Sequence, residues 1–301
     1  MSHAIIIPIY CENRNTINLC NELQNFGAEH IVVVNDGLNP KSEYFNELTS
    51  IGCHLVHLKN NNGKGASLKA GIKYAHDNLY NITGYITCDA DGQHTANDVM
   101  KISRMLDLRN GSLILGKRDY KKSKMPINIR IGNRLSSAYF KVITGKSCKD
   151  TQTGLRGIPA FLYDTVMKTK GSRFDFEMNF LTKCADMRVP FYFVNIIADC
   201  SNCSSNFRLI KDTYLIYRTP LRFATASIGC TIIDLVLFTI FAYILPSHMF
   251  FNIMLATLMA RVVSGGINFL INRKVIFGNT DNGAKQALRF FILFFCIMCA
   301  S

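Results

Sequence analysis

The sequence predicts an open α/β sheet of largely parallel strands, followed by a helical membrane region. Up to about residue 200, short apolar runs alternate with amphipathic stretches, which is the pattern of strands joined by crossover helices. After Pro220 the character changes, and two long apolar stretches follow. At 301 residues the chain has room for about two domains, so the two patterns predict one domain each.

Five apolar runs predict buried strands, and four amphipathic segments between them predict helices. The predicted strands are Ala4–Tyr10, Ile31–Asn35, His54–Leu58, Tyr85–Cys88 and Ser112–Leu115. The predicted helices lie near residues 14–26, 41–51, 64–79 and 95–109. Because strand–helix–strand connections are right-handed crossovers, we expect these strands to run parallel in one sheet.

Two 23-residue apolar stretches predict membrane spans. Phe223–Leu245 carries one charge, Asp234, and Met249–Ile271 carries one, Arg261. At ~1.5 Å per residue each stretch is long enough for a ~30 Å hydrocarbon core. A third apolar run, Leu288–Ala300, is too short to span, which predicts a membrane domain that is cut short.

Basic residues lie before the first predicted span and after the second, whereas the Pro246–His248 turn between the spans carries no Lys or Arg. The positive-inside rule therefore predicts an integral membrane protein whose soluble part and 272–287 loop are cytoplasmic. The flanking residues are Arg208, Lys211, Arg218 and Arg222 before the first span, and Arg273, Lys274, Lys285 and Arg289 after the second.

Charge and composition exclude several classes of protein. The formal charge is +13, and 49% of the residues are hydrophobic, which is too apolar for a disordered chain.

Residues 101–150 hold 13 Lys and Arg against three acids, so this segment predicts either a solvated loop or contact with an anionic membrane surface. Its densest run, residues 117–124, holds one aromatic residue, Tyr120, and not the series of interleaved aromatic side chains on which bases stack, which argues against nucleic-acid binding. The odd number of cysteines, 11, indicates a reducing compartment.

The sequence Asp89-Ala90-Asp91-Gly92-Gln93-His94 directly follows a predicted strand. Ligands of open α/β sheets bind at the carboxyl ends of strands, and two carboxylates at positions i and i+2 can turn toward one hard cation. Such an oxygen-rich site suits Mg²⁺ or Mn²⁺ on substrate phosphates. The alternative is a structural turn, because Asp-Gly is a good turn former.

Polar residues also follow the other predicted strands. Tyr10-Cys11-Glu12 ends the first strand and Asn35-Asp36-Gly37 the second. Asn62-Gly63-Lys64-Gly65-Ala66 opens a helix, where glycines and a lysine could receive an anion. This segment is not a Walker loop, and the Gly-x-Gly-x-x-Gly fingerprint is also absent, which argues against a dehydrogenase.

Taken together, these motifs resemble the inverting family-2 glycosyltransferases with a GT-A fold, over roughly residues 3–200. The order Pro-x-Tyr-x-Glu, Asn-Asp-Gly, Asn-x-Gly-Lys-Gly, Asp-Ala-Asp-Gly-Gln-His and Asp150–Arg156 is similar to the dolichol-phosphate-mannose-synthase-like branch, which makes polyprenyl-phosphate sugars. Asn35-Asp36-Gly37-Leu38 departs from the Asp-Asp-Gly-Ser that is usual in the family.

The membrane half carries a second resemblance. Arg222-Phe223, Asp234, Arg261, Asn268 and Asn272-Arg273 are similar to a GtrA-like domain, a family associated with lipid-linked sugars. The two resemblances imply a GT-A domain over 1–205, a basic amphipathic juxtamembrane linker over 206–222 and truncated GtrA-like transmembrane helices over 223–301.

The family resemblance implies a role for each matching residue. Asp150, Asp91 and Arg118 would be catalytic, and a metal ion, Mg²⁺ or Mn²⁺, would be held by Asp89, Asp91 and Gln93. The nucleotide-sugar would be bound by Pro8, Tyr10, Glu12, Asp36, Lys64, Asp89 and Ala90. The acceptor phosphate would be held by Arg118, Arg130, Arg134 and Ser136.

The implied function is transfer of a hexose from a GDP-mannose-type or UDP-glucose-type donor to polyprenyl phosphate, undecaprenyl or dolichyl, at the cytoplasmic membrane face. The implied reaction inverts the sugar linkage and depends on a metal. A lipid-linked-sugar carrier or flippase-associated protein with a non-catalytic sugar-nucleotide domain is the alternative. Processive polysaccharide synthases carry a Gln-x-x-Arg-Trp motif, and they are excluded because the chain has no Trp.

Overall fold

A computed structural model describes residues 2–119, 127–173, 175–197, 209–245 and 250–271. The chain divides into two compact units, Met1–Asp212 and Thr213–Ser301. The first unit holds a seven-stranded sheet with helices packed on it, and the second holds long apolar helices. The predicted third span and the predicted 272–287 loop lie outside the described residues, as does most of the basic run 117–124.

The five predicted strands and four predicted helices are all present, with small shifts at their ends. The strands are β1 (Ser2–Ile9), β2 (His30–Asp36), β3 (His54–Leu58), β4 (Ile82–Thr87), β5 (Leu113–Arg118), β6 (Arg156–Pro159) and β7 (Phe191–Ile196). The helices of the first unit are α1 (Arg14–Asn25), α2 (Glu43–Ser50), α3 (Lys64–Asn78), α4 (Ala96–Leu108), α5 (Ile127–Thr144), α6 (Tyr163–Lys168) and α7 (Asp175–Asp186).

The sheet has the strand order β3-β2-β1-β4-β6-β5-β7. Six strands run parallel, and β6 runs antiparallel between β4 and β5. The strand order reverses beside β1, because β2 and β4 pair on its two sides. The sheet is therefore mixed, and its switch point brings the carboxyl ends of β1, β2 and β4 to one edge, where open α/β sheets bind ligands.

Side chains of β1 alternate between two hydrophobic layers. Ile5, Ile7 and Ile9 pack with α1, α2 and α4 on one face, and Ala4 and Ile6 pack with the helices on the other face. This period of two is expected of a strand, and burial on both faces explains why β1 is a continuous apolar run. The sheet is thus covered on both sides, and its carboxyl edge carries the polar side chains.

The second unit contains the helices α8 (Leu209–Ile244) and α9 (Phe250–Ile271). Each holds a 20-residue candidate membrane span, Thr225–Ile244 and Asn252–Ile271, with mean hydropathies of 2.0 and 1.6. Only 6% and 22% of these spans are buried within the chain, so their apolar side chains do not form a protein core. Asp234 of α8 accepts a hydrogen bond from the hydroxyl of Ser264 on α9 at 2.7 Å, which gives this intramembrane carboxylate a polar partner.

Candidate active site

The loop that follows β4 carries both motif carboxylates. Gly92 has a φ of +85°, a left-handed conformation that favours glycine, and it turns the loop between Asp91 and Gln93. The Asp91 carboxylate accepts hydrogen bonds from the backbone amide of Gln93 at 3.1 Å and from its side-chain amide at 2.5 Å. The hydroxyl of Thr16 donates to the Ala90 carbonyl at 3.1 Å, which attaches the loop to α1.

Lys64, the first residue of α3, joins two carboxylates from different parts of the chain. Its Nζ lies 2.6 Å from Asp89 Oδ1 and 3.1 Å from Glu177 Oε1 on α7. On the other side of Asp89, the Nε2 of the buried His94 lies 3.5 Å from Oδ2. Lys64 therefore joins the loop after β4 to α7 through two ion pairs.

The pKa values at this edge follow from burial and from the neighbouring charges. Burial disfavours the ammonium of Lys64, but Asp89 and Glu177 outweigh it and raise the pKa of Lys64 above its ordinary value. Burial also disfavours the charged carboxylate of Asp89, but Lys64 and His94 lower the pKa of Asp89 below its ordinary value. Burial, and then the charge of Asp89, raise the pKa of Asp91.

The donor set of this loop fits a hard divalent cation. Asp89, Asp91 and the amide oxygen of Gln93 offer the oxygen atoms that such a cation prefers. The pKa of Asp91 is raised first by burial and then by the charge of Asp89, and a cation would offset both effects. Within the described ranges, no group of three or more His, Cys, Asp or Glu side chains is arranged to hold a metal. A metal here would therefore be bound by few protein ligands and would complete its shell with substrate phosphates, as Mg²⁺ sites do.

We expect the Lys64→Met variant to lose stability, because the substitution leaves Asp89 and Glu177 without their shared cation. Loss of a hydrogen-bonded charged partner costs about 1–3 kcal/mol. Lys64→Arg keeps the charge and should recover part of that loss. Hydrogen exchange of the α7 and β4 peptides measures the difference. Equal exchange in the wild type and the Lys64→Met variant would contradict the bridging role.

At the start of α3, where the sequence predicts an anion site, three backbone amides donate to acceptors within the protein. The buried carboxylate of Asp36 accepts from the amides of Asn62 at 2.7 Å and Gly63 at 2.9 Å. The Ala66 amide donates to the Ser172 carbonyl at 2.9 Å. These amides are occupied by protein acceptors, so Asp36 holds the loop that places Lys64.

The glycine after Lys64 is required by packing. A Cβ at Gly65 would lie 2.5 Å from the Cβ of Phe176 on α7. Gly65 therefore allows α3 to pack closely against α7, next to the ion pairs of Lys64.

Arg118, the last residue of β5, forms a buried bidentate ion pair with Asp150. Arg118 Nε lies 2.7 Å from Asp150 Oδ2, and Nη2 lies 2.8 Å from Oδ1. The Asp150 carboxylate also accepts from the backbone amides of Arg118 and Gln152, and it is fully buried. Asp150 is thus enclosed by donors, and its observed contacts orient Arg118.

The four predicted acceptor-phosphate residues do not share one surface. Ser136 is buried, and its hydroxyl accepts from Thr151 Oγ1 at 2.8 Å. Arg130 is half-buried and Arg134 is exposed, and the two lie one turn apart on α5. Ser136 therefore faces the interior, where it anchors α5 to the segment that follows Asp150, whereas Arg134 lies on the outer side of the helix.

The predicted nucleotide-binding residues at the end of β1 differ in exposure. Pro8 is buried within the strand, and Tyr10 and Glu12, which follow it, are more open to solvent. Tyr10 is 43% exposed, so a large aromatic face lies at the carboxyl edge of the sheet, where a base or sugar could stack on it.

Sequence reasoning missed Gly154 and Arg156 as contributors to this site. A Cβ at Gly154 would lie 2.5 Å from Asp89 Cγ, so only glycine leaves room for that carboxylate. The buried Arg156 donates to three backbone carbonyls, those of Thr153 at 2.9 Å, Glu177 at 3.0 Å and Thr151 at 3.2 Å. Both residues follow Asp150 within a few positions, but nothing in that segment indicates what they contact.

Comparison with protein families matches both units. Residues 4–164 match the glycosyl transferase family 2 model, and residues 222–301 match the GtrA/DPMS transmembrane domain model. The first match covers more than half of the chain and includes β1 to β6, with both motif carboxylates and the Arg118–Asp150 pair.

Two archaeal proteins are among the relatives. The uncharacterized protein MJ1222 of Methanocaldococcus jannaschii is 32% identical over 188 residues, which are 59% of this chain and 73% of that protein. A UDP-N-acetylglucosamine–dolichyl-phosphate N-acetylglucosaminyltransferase of Methanococcus voltae is 29% identical over 172 residues, which are 50% of this chain and 67% of that protein.

A solved structure of glucosyl-3-phosphoglycerate synthase from Mycobacterium tuberculosis, in complex with Mn²⁺, UDP-glucose and glycerol 3-phosphate, superposes with a TM-score of 0.54. The two chains share 12% identity, and the match covers 73% of this chain and 78% of the synthase, so this likeness concerns the fold alone.

The mixed sheet is a GT-A fold, and the two apolar helices make the chain a membrane protein. The chain belongs to glycosyl transferase family 2 and is a glycosyltransferase joined to a GtrA/DPMS transmembrane domain.

Proposed function

We propose that the enzyme transfers a hexose, or an N-acetylhexosamine, from a nucleotide-sugar to a polyprenyl phosphate of the dolichyl or undecaprenyl type. The observation that carries the proposal is the charge pattern at the carboxyl edge of the sheet. Asp89 and Asp91 follow β4, and Arg118 ends β5. Because only β6 lies between these strands, the strands run about 10 Å apart. A sugar ring fits between a diphosphate at the acidic end and an acceptor phosphate at the basic end.

The named relatives support this choice of substrates. The name of the M. voltae relative gives UDP-N-acetylglucosamine as donor and dolichyl phosphate as acceptor, and the mycobacterial synthase was solved in complex with Mn²⁺ and UDP-glucose. The candidate donors are therefore UDP-glucose and UDP-N-acetylglucosamine, together with the GDP-mannose that the sequence resemblance implies. The nucleotide would lie at the ends of β1 and β2, with Tyr10 and Glu12 open toward it.

The reaction would depend on a divalent metal, Mg²⁺ or Mn²⁺, held by Asp89, Asp91 and Gln93. When bound, the metal neutralises charge on the departing nucleoside diphosphate. Lys64 is the protein's own positive charge at this position, and its ion pair with Asp89 keeps that carboxylate ionised. Asp36 contributes by holding the loop from which Lys64 extends.

The acceptor needs no strong base, because the second pKa of a phosphate monoester is near ~6 and the group is already largely anionic at neutral pH. This agrees with the enclosure of Asp150, which leaves its carboxylate no room to accept a substrate proton. Its role would be to hold Arg118, and Arg118 and Arg130 would neutralise the attacking phosphate, whereas Arg134 lies on the outer side of α5 and would not contact it. Direct attack by that phosphate on the anomeric carbon inverts its configuration.

Basic residues flank the spans on one side, and a lipid acceptor requires a site at the bilayer. We therefore place the catalytic unit on the cytoplasmic face, following the positive-inside rule.

The test uses the full-length protein in sealed, inside-out vesicles that contain polyprenyl phosphate, with radiolabelled donors added outside. We expect lipid-soluble label from one of the three donors, loss of that label with EDTA, and a β-linked product from an α-linked donor. Asp91→Asn should lower transfer by about 10²-fold or more, because a metal-site carboxylate acts on developing charge.

Asp164→Asn is the matched control, because Asp164 is an exposed carboxylate on α6 away from the site. It should leave transfer unchanged. No lipid-linked label from any of the three donors would refute the proposed function, and label that is insensitive to both EDTA and Asp91→Asn would refute the metal site.

A further inference from the structure

Lys64 places a positive charge on a carboxylate that a bound metal ion would need. Its Nζ lies 2.6 Å from Asp89 Oδ1, and Asp89 belongs to the candidate metal site. An ammonium and a divalent cation are attracted by the same carboxylate oxygens, and two cations on one carboxylate repel each other. Lys64 therefore competes with a metal ion for Asp89.

The Asp89 carboxylate is also enclosed on its other sides. His94 Nε2 lies 3.5 Å from Asp89 Oδ2. Gly154 packs so closely that a Cβ there would lie 2.5 Å from Asp89 Cγ. Of these three neighbours Lys64 has the long and flexible side chain, so Lys64 is the neighbour that a cation can displace.

The backbone around Lys64 has little room to move. A Cβ at Gly63 would lie 2.6 Å from the Cγ of Arg173. On the other side of Lys64, a Cβ at Gly65 would lie 2.5 Å from the Cβ of Phe176. A change of partner must therefore be made by the lysine side chain, while the start of α3 stays in place.

Glu177 offers the ammonium a second position. Its Oε1 lies 3.1 Å from Lys64 Nζ, so Lys64 needs only a small movement to leave Asp89 and remain paired. Glu177 lies on α7, where its backbone carbonyl accepts from Arg156 Nη1 at 3.0 Å, whereas the loop that carries Asp89 is attached to α1. The two carboxylates thus belong to different parts of the fold, and one of them can be occupied without the other.

Solvent screens these charges little. The side chains of Lys64 and Glu177 are 17% and 10% exposed. Arg156 Nη2 is further from the same Glu177 oxygen, at 4.0 Å, so Lys64 is the nearer partner. Because weakly screened charges interact strongly over a few ångströms, the charge of Glu177 should decide how readily Lys64 leaves Asp89.

We propose that Lys64 occupies the cation position in the metal-free enzyme and transfers to Glu177 when a divalent ion binds to Asp89. Glu177 is then a positioning residue that sets the metal affinity through Lys64. The arrangement also explains how a largely buried carboxylate is kept without a metal, because Lys64 pairs with it until the ion takes its place. The inference rests on the metal site of the proposed function and adds the residue that tunes its affinity.

Binding of Mn²⁺ alone to the full-length protein in detergent micelles tests the proposal, with EPR spectroscopy measuring the free ion. Glu177→Gln should weaken Mn²⁺ binding by about fivefold or more, because Lys64 then has no second carboxylate to move to. Lys64→Met should strengthen Mn²⁺ binding by a similar factor, because the competing ammonium is gone. Asp186→Asn is the matched control: it removes an exposed carboxylate from the other end of α7 and should leave Mn²⁺ binding unchanged.

The double variant Lys64→Met, Glu177→Gln separates this transfer from a simple effect of charge. If Glu177 acts through Lys64, Glu177→Gln should change the Mn²⁺ dissociation constant by no more than about twofold once Lys64 is replaced. If the two charges act on the ion independently, Glu177→Gln should weaken binding as much in the Lys64→Met protein as in the wild type.

An equal effect of Glu177→Gln in both backgrounds would overturn the proposal, and so would unchanged or stronger binding in Glu177→Gln alone. Absence of Mn²⁺ binding in both the wild type and Lys64→Met would overturn it as well. The EDTA arm of the vesicle assay decides separately on the metal dependence of sugar transfer. Lys64→Gln takes the place of Lys64→Met if circular dichroism shows that the latter does not fold.

Discussion

Asp150→Asn is expected to destabilise the catalytic unit by about 3–5 kcal/mol, because it removes one partner of a buried ion pair and leaves the other uncompensated. Asparagine has nearly the same shape as aspartate, so packing changes little. The guanidinium of Arg118 would remain buried without its bidentate acceptor, which now binds Nε at 2.7 Å and Nη2 at 2.8 Å. Transfer should fall as well, because Arg118 would no longer be held in one orientation.

The thiol of Cys148 provides the measurement, because it lies two residues from Asp150 and is buried. Burial raises the pKa of Cys148 to about 11, so its reaction with an alkylating reagent at neutral pH reports local opening. Since each 1.4 kcal/mol is a tenfold change, alkylation of Cys148 should accelerate by roughly 10²- to 10⁴-fold in Asp150→Asn. Mass spectrometry of the Cys148 peptide separates this thiol from the others.

Two further variants isolate the ion pair. Asp77→Asn breaks an exposed pair with Lys73 on α3, and it should leave stability almost unchanged because solvent screens that pair. The double variant Arg118→Met, Asp150→Leu removes both buried charges, and it should recover most of the stability without recovering transfer. If Asp150→Asn abolished transfer while Cys148 stayed protected, Asp150 would act in the chemistry itself and the positioning role would be wrong.

The sequence predicted the first five strands and four helices because each has a local signature. The continuous apolar run at Ala4–Ile9 is explained by a strand that is buried on both faces, and the polar residues after β2 and β4 indicate the ligand edge. Strand β6 was not predicted. It is four residues long and contains Gly157 and Pro159, so neither alternation nor β-branched composition marks it.

The contacts within the site depend on long-range pairing, which one sequence does not reveal. Arg118 and Asp150 were each predicted as site residues, but only the antiparallel insertion of β6 beside β5 explains how they meet. Lys64 was predicted to bind the nucleotide-sugar. Its double ion pair requires α7 to pack against the start of α3, and Gly65 allows that approach.

Gly154→Ala is expected to abolish most of the transfer activity although it adds one methyl group. A Cβ at this position would lie 2.5 Å from Asp89 Cγ and as close to both of its oxygens, which no real Cβ contact tolerates. Gly154 has no positive φ, so alanine at this position meets no backbone strain and the effect is steric.

In the Gly154→Ala variant the Asp89 carboxylate must rotate away from Lys64, whose Nζ lies 2.6 Å from it in the wild type. We expect a loss of about 10²-fold or more in kcat/KM, since the carboxylate proposed to orient the donor is displaced. Stability should fall by about 1–3 kcal/mol from overpacking.

The control for this prediction is Gly132→Ala on α5, where the added Cβ would meet only Gln152 Nε2, at an ordinary 3.8 Å. That variant should keep full activity and gain up to about 1 kcal/mol of stability, because alanine favours the helix.

If Gly154 acts through Asp89, the effects of Gly154→Ala and Asp89→Asn on kcat/KM must also be non-additive, as they are for residues in contact. Gly154→Ala added to Asp89→Asn should then lower kcat/KM little further. An additive loss would mean that Gly154 supports a different part of the site, and full activity in Gly154→Ala alone would show that Asp89 is not needed where the structure places it.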